Sequence, residues 1–264
     1  MPDPTQRFSD RVENYVKYRP SYPAALIDCL REHAGLNRTS VVADIGSGTG
    51  IFTALLLPAA GRVHAVEPNA AMRAAAERDL GAQSGFVSVD GTAETTALPT
   101  GSVDLVTAAQ AFHWFRISEC RAEFVRILRP GGRVALIWNE RLTDKDPFSI
   151  AYEKLLKTAA TNYDQVDHRR IDQTAMARFF APQIHKEYTF PNAQVFDREG
   201  LVGRALSSSY IPNAGQPGHR EFFTQLEQIF QEHAKKGRVT FEYLTRVYVG
   251  ALSVASSGYG SSSW

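Results

Sequence analysis

Cysteine is scarce: Cys29 and Cys120 are the only two in 264 residues, and no Cys-x-x-Cys pair exists. A disulfide-stapled secreted scaffold and a Cys-rich zinc site are therefore excluded, and both thiols are expected as small buried hydrophobes. Charge of one sign is also missing. Lys plus Arg total 29 and Asp plus Glu 28, a formal net charge of +1 with a sequence pI near 7.8. Bulk electrostatics thus advertises neither nucleic acid nor a membrane surface. Apolar runs fall well short of the roughly 20 residues that a membrane-spanning helix needs, and the polar, charged start "MPDPTQRFSDRVENY" is wrong for a signal peptide. A reducing, cytoplasmic location with no membrane partner follows as the expectation. No H-E-x-x-H helix, clustered ligand set or G-x-S-x-G elbow occurs, so no metal site and no hydrolase is expected. There is no internal repeat.

What is present is an alternation of strand and helix patterns. "VVADI" (41–45), "RVHAVEP" (62–68), "GFVSVD" (85–90), "VDLVTAAQ" (103–110) and "RVALIWNE" (133–140) read as five strands, rich in β-branched and aliphatic residues. "NAAMRAAAERDL" between the second and third is helical, with Asn69 placed as its N-cap. "SECRAEFVRILRPGG" is an amphipathic helix with Cys120, Phe124, Ile127 and Leu128 on one face, stopped at Pro130-Gly131-Gly132. Residues 141–183 are mostly helical by pattern, "IHKEYTF" (184–190) reads as a sixth strand, 220–237 as a helix and "RVTFEYLTRVYV" (238–249) as a seventh strand. This order predicts an α/β fold, a parallel sheet with helices on both faces. The end "SVASSGYGSSSW" has no period and is expected as a flexible tail over 251–264.

The glycines after the first strand lie where open α/β sheets bind ligands, at the carboxyl ends of the strands. Their spacing, Gly46-x-Gly48-x-Gly50, is not the G-x-G-x-x-G of a pyrophosphate turn, because Ile51 holds the last position. Asp44 precedes them and suits a cationic ligand end. A turn needing positive φ is the purely structural alternative.

"ADIGSGTGIFT" resembles the first motif of class I S-adenosylmethionine-dependent methyltransferases. The resemblance implies a doubly wound, Rossmann-like, seven-stranded and mostly parallel sheet with an antiparallel last strand and a helical cap. It implies S-adenosylmethionine as cofactor, with Asp44, Gly46, Gly48 and Gly50 lining its site. Glu67, ending the second strand, falls where the family's acid binds both ribose hydroxyls. Pro68, Asn69 and Met72 fall where the adenine packs, although Met72 alone also reads as core. "VDGTAETTALP" matches the stretch that reads the adenine edge, with Ala93 and Glu94 as candidates ahead of Asp90, and "GSVDLVTAAQAFHWF" the fourth-strand motif, which brings Gln110 to the cofactor. The match spans about 40–140. "YVKYRPSYP", "AQAFHWF" and "ALSSSYIP" are similar to trans-aconitate methyltransferase-like and ubiquinone/menaquinone methyltransferase-like enzymes. There the first stretch forms an N-terminal helix and lid, which implies Tyr15, Tyr18 and Arg19 near the cofactor; packing on the sheet is the alternative for these aromatics.

The expected domains are a cofactor-binding core with a lid helix (1–140), an acceptor-side cap (141–212), and the last helix and strand of the core (213–250). His113 follows the fourth strand near the expected methyl position and reads as catalytic base, acceptor anchor or packing residue. Trp114, Arg141, Arg204 and Tyr210 are candidate acceptor contacts, with a surface salt bridge as the alternative for either arginine. The expected partner is a small-molecule methyl acceptor, a carboxylate among the candidates. Nucleic acid is disfavoured, since no basic arm or added module is present. A methyltransferase of macromolecules and a non-catalytic or nicotinamide-binding Rossmann protein stay open as other readings.

Overall fold

The computed structural model describes residues 12–160, 163 and 173–253. The expected tail lies outside them from residue 254 on. A seven-stranded sheet organises the chain: β1 (Val41–Ile45), β2 (Arg62–Val66), β3 (Phe86–Val89), β4 (Val103–Ala109), β5 (Leu128–Arg141), β6 (His185–Phe196) and β7 (Val239–Gly250). The strand order is β3-β2-β1-β4-β5-β7-β6. The first five strands pair in parallel, while β7 is antiparallel to both β5 and β6. The order reverses between β1 and β4, and such a switch point opens a crevice at the strands' carboxyl ends. The sheet is the Rossmann-like one that the motifs implied.

Strand side chains alternate in direction, so each strand feeds two cores. Val42, Val63, Leu105, Ala135, Ile137 and Val247 face α2 (Ala25–Ala34) and α3 (Ile51–Leu56). Ala43, Ile45, Val106, Ala108, Val134 and Leu136 face the other way, with Phe124 of α5 (Ile117–Ile127) and Phe179 of α7 (Gln173–Phe180) packed over them. Both cysteines are buried and unpaired. Helix α4 (Ala70–Leu80) starts as its sequence dictates: the Asn69 side chain accepts the Met72 N–H at 3.0 Å.

β6 is longer than its pattern suggested, while β7 falls within one residue of the expected 238–249. β7 leaves β5 at the Arg141–Tyr243 pair, but continues to pair with β6 from Glu242 back to Val239. The antiparallel pair therefore overhangs the carboxyl edge of the parallel strands. A third core sits on this overhang: Phe196, Val239, Phe241 and Tyr243 pack with Phe148 and Tyr152 of α6 (Pro147–Ala159), Leu201 of α8 (Arg198–Leu206) and Phe222 of α9 (His219–His233). The expected cap of 141–212 is thus part sheet and part helix, continuous with α9 and β7.

The N-terminal segment is strapped across the same edge. α1 (Val12–Tyr18) touches both α4 and α8. The Ser21 carbonyl accepts the side-chain amides of Asn139 (3.2 Å) and Asn192 (2.8 Å), and the Tyr18 carbonyl accepts Gln194 (3.1 Å). Among the described residues, no helix is long and apolar enough to cross a membrane, and no group of three or more His, Cys, Asp or Glu is placed to hold a metal.

Candidate active site

A cleft of about 390 Å³ opens at the carboxyl edge between β1, β4, the strap and the overhang. Its first wall is the glycine turn. Gly46 has φ +67° and a Cβ there would stand 2.6 Å from the Ala111 Cβ, so only glycine lets β1 and β4 close at this point. Gly48 has φ +57°, and a Cβ would meet only the Met72 sulfur at 3.7 Å, projecting otherwise into open cleft. Glu67 locks the turn to the next loop: one carboxylate oxygen accepts the Gly48 N–H and the other the Asn69 N–H, each at 2.9 Å. Burial pushes the Glu67 carboxyl up, opposed by those two N–H donors. Arg73 braces the loop by donating to the carbonyls of Glu67 (2.8 Å) and Pro68 (2.9 Å), while also pairing with Asp90 at 3.0 Å. Beneath the turn, Asp44 is 1% exposed and accepts the hydroxyls of Thr53 (2.6 Å) and Thr107 (2.8 Å). Burial pushes its carboxyl up to about 6, those two bonds offsetting only part of the effect.

The second wall runs from Thr92 to Glu94 and from Ala109 to Arg116. Glu94 accepts the Arg116 backbone N–H at 2.8 Å. Gln110 ends β4 at φ +57°, uncommon for a residue with a Cβ. Its amide donates to the Asn139 carbonyl at 3.1 Å, and its Oε1 is buried without a partner among the described residues. A short 3₁₀ turn follows (Phe112–Trp114); Phe112 plugs into the core and leaves His113 and Trp114 at the cleft, rings 4.8 Å apart.

The far wall is basic and aromatic. Arg141, at the end of β5, pairs with Glu153 at 2.6 Å, and Tyr163 donates to the same carboxylate at 2.8 Å. Arg204 on α8 is 7% exposed and donates to the hydroxyls of Ser208 (3.0 Å) and Ser207 (3.4 Å). Arg19 donates to the Ser207 carbonyl at 2.8 Å. Neither Arg19 nor Arg204 meets a carboxylate among the described residues, and each has a buried Nε without a partner there. Burial and the neighbouring Arg204 both push the Arg19 guanidinium down. The cleft is therefore bipolar, acidic at the turn and basic at the overhang.

A methyltransferase-domain family profile matches residues 43–136. An uncharacterized methyltransferase of Geobacillus kaustophilus is 31% identical over 155 residues, covering 56% of this chain and 69% of that protein. The chain belongs to the class I S-adenosylmethionine-dependent methyltransferases. An uncharacterized methyltransferase of Mycobacterium bovis is 39% identical over 143 residues, covering 53% of this chain and 54% of that protein. The chain spans about half the length of the curated relatives it matches at 33% and 39% identity. The solved structure of a putative type II methyltransferase from Anaeromyxobacter dehalogenans shares the fold: TM-score 0.67, 24% identity, 90% of this chain and 100% of that one.

The cofactor of this class is S-adenosylmethionine, and the first wall of the cleft fits it. Gly48 leaves a cradle that a Cβ would fill. Each Glu67 oxygen has spent one acceptor site on an N–H and keeps another for a ribose hydroxyl. The buried Oγ atoms of Ser47 and Thr49 and the Gln110 Oε1 lack partners among the described residues and can bond the nucleoside or its amino-acid end.

Of the residues singled out from sequence, Asp44, Gly46, Gly48, Glu67, Pro68, Asn69, Met72, Ala93, Glu94, Gln110, Arg19, His113, Trp114, Arg141, Arg204 and Tyr210 all line the cleft. Two do not. Gly50 packs beneath the turn against Leu80. Tyr18 turns away from the cleft, its ring against Gly203 and Phe196 and its hydroxyl near Glu199. Of the strap, Tyr15 and Arg19, both named from sequence, line the cleft, and Tyr22 joins them. Asn139 and Tyr243 also line the cleft unannounced. Asn139 carries the same signal as Gln110, a polar side chain at the carboxyl end of a parallel strand. Tyr163 has no local signal at all.

Proposed function

We propose that the protein transfers the methyl group of S-adenosylmethionine to a small-molecule acceptor bearing a carboxylate. One observation carries the reading: Arg19 and Arg204 present buried N–H groups to the cleft with no carboxylate among the described residues to answer them. Two adjacent buried cations are costly unless an anion joins them, and a guanidinium fork matches a carboxylate. Methyl transfer from a sulfonium is an in-line displacement, so the protein's task is alignment and exclusion of water. Asp44, Gly48, Glu67 and Gln110 position the donor. His113 and Trp114 at the β4 end, with Arg141 and Tyr210 beyond it, border the acceptor. Residues 141–212 supply the acceptor side, and residues 1–140 with 213–250 form the donor-binding core. The cleft volume lies within the range of small-ligand pockets. A cytoplasmic location is supported by the two buried, unpaired thiols.

The test is isotope-labelled S-adenosylmethionine offered with a panel of small carboxylic acids, and in parallel with RNA and with protein. Label should appear in a small acid. Label in RNA or protein and in none of the acids would overturn the acceptor class.

A further inference from the structure

The proposed function leaves open which acceptor atom is methylated, and the inference here rests on that function. We propose that Tyr210 is the proton acceptor for a phenolic hydroxyl of the acceptor, whose separate carboxylate is held by Arg19 and Arg204. The observation behind it is a cluster: Tyr210 lines one cleft with Arg19, Arg141 and Arg204. Arg204 donates to the Ser208 hydroxyl at 3.0 Å, and Ser208 in turn bonds the Tyr210 oxygen. A hydroxyl that accepts from a guanidinium has its own proton left to give, so these two bonds deliver positive character to the phenolic oxygen. Arg19, Arg204 and Arg141 all act on that oxygen from different elements. Burial pushes the phenol up, but the three guanidiniums and Ser208 outweigh it and bring it below the ordinary tyrosine value.

The surroundings single out this tyrosine. Facing it are Arg19 and Tyr15 from the strap, Arg141 from β5, Tyr152 and Glu153 from α6, Tyr163, Arg204 from α8 and Tyr243 from β7. Glu153 is occupied by Arg141 and Tyr163. Tyr22, Tyr152 and Tyr163 are all pushed up by burial. Tyr163 packs its ring on Tyr210 at 5.0 Å but spends its proton on Glu153.

Charge also argues that the anchored carboxylate is not the methylated group. Methylation would turn it into a neutral ester facing two buried guanidiniums, and a guanidinium fork draws down the nucleophilicity of the oxygens it binds. A second, protonated nucleophile is needed, and a phenol matches a tyrosine base in proton affinity. Tyr210 acts as its tyrosinate, the form that the facing guanidiniums and Ser208 favour. The acceptor O–H proton then passes to the Tyr210 oxygen. The acceptor oxygen forms the new C–O bond to the methyl carbon, the C–S bond breaks, and its electron pair stays on sulfur. Tyr210 returns its proton to solvent.

Tyrosinate absorbance is titrated in the full-length wild type and in Tyr210→Phe, Ser208→Ala and Tyr163→Phe. One tyrosinate should form below the ordinary value of about 10. It should vanish in Tyr210→Phe, move up in Ser208→Ala and persist in Tyr163→Phe. Wild-type and Tyr210→Phe curves that superimpose would overturn the inference. The ortho, meta and para hydroxybenzoates then serve as acceptor probes, with products read by mass spectrometry. An aryl methyl ether is expected, with kcat in Tyr210→Phe down about 10²–10⁴-fold and S-adenosylhomocysteine affinity unchanged. A methyl ester, no product from any isomer, or loss of turnover in His113→Ala but not in Tyr210→Phe would each refute the assignment. Failure to bind S-adenosylhomocysteine at all would instead sink the methyltransferase reading.

Discussion

Truncating Glu67 to alanine tests the donor half most directly. The carboxylate is 7% exposed and each oxygen already accepts one backbone N–H at 2.9 Å. Two lone-pair sites remain, one on each oxygen, spaced for a vicinal diol. A hydrogen bond to a charged group contributes about 1.5–3 kcal/mol, so two would reach about 3–6 kcal/mol if nothing replaced them. Water entering the vacated space recovers about half. The net is about 1.5–3 kcal/mol, a loss of roughly tenfold to hundredfold in affinity at 1.4 kcal/mol per decade. Calorimetry with S-adenosylhomocysteine measures it directly. Truncation also releases the Gly48 and Asn69 N–H groups, which loosens the turn whether or not a ribose is bound. The two contributions separate through a thermodynamic cycle with a 2′-deoxy analogue of the ligand. If Glu67 binds the diol, the analogue should lose markedly less on truncation than the ribose ligand does. Equal losses for both ligands would refute the ribose role and leave Glu67 as a brace for the turn.

Four further outcomes follow from the geometry. S-adenosylhomocysteine affinity should fall as pH drops through about 6, where Asp44 takes up its proton; because its folded value lies above the unfolded one of about 4, ligand-free stability should move oppositely and decline as pH rises from about 4 to about 6, which paired binding and melting curves will show. Glu123 is held at about 2: burial pushes it up, but bonds from Arg126 and Thr96 outweigh that; its stabilisation is present above the unfolded value of about 4.3 and lost as pH falls toward 2, and Glu123→Gln should cost roughly 1–2 kcal/mol in denaturant melts after allowing for solvent at half-exposed Arg126. Gly203→Ala drives a methyl into the Tyr18 ring and should dislodge the strap, seen as faster proteolysis near α1 and weaker acceptor binding with cofactor affinity nearly kept. His113→Ala should lower turnover more than cofactor affinity; normal turnover with a lowered melting temperature would make the histidine structural.

The donor half was legible because it is local. Strand, glycine turn and following acid are adjacent in sequence, and the carboxyl-edge rule places them all at one crevice. Asn69 capping α4 was readable for the same reason. The acceptor half depends on encounters between distant segments. Tyr18 was assigned to the cofactor from its place in "YVKYRPSYP", but its direction is set by Gly203, whose missing side chain makes room for the ring. The sixth strand is expected over 184–190, just short of Pro191. β6 lies at the sheet edge, needs ladder bonds on one side only, and runs through the proline to Phe196. β5 begins at Leu128, before the Pro-Gly-Gly stop, because Leu128 still pairs with Val103 across a register shift. Arg204 and Ser207 meet Arg19 only once α8 is seated on the overhang, and no short-range pattern encodes that.

The overhang of β6 and β7 gives the molecule a division of labour that protein engineering can use. The residues proposed to cradle the donor lie at the ends of strands that stop at Ile45, Val66 and Ala109. The guanidiniums and phenols opposite stand on or behind the antiparallel β6–β7 pair, which continues past that line, cantilevered from β5. Cleft-lining side chains of α8 and the turn after it, Arg204 and Tyr210, can therefore be exchanged between homologues without touching the glycine turn. A chimaera carrying another protein's 141–212 should keep its donor affinity while exchanging its acceptor.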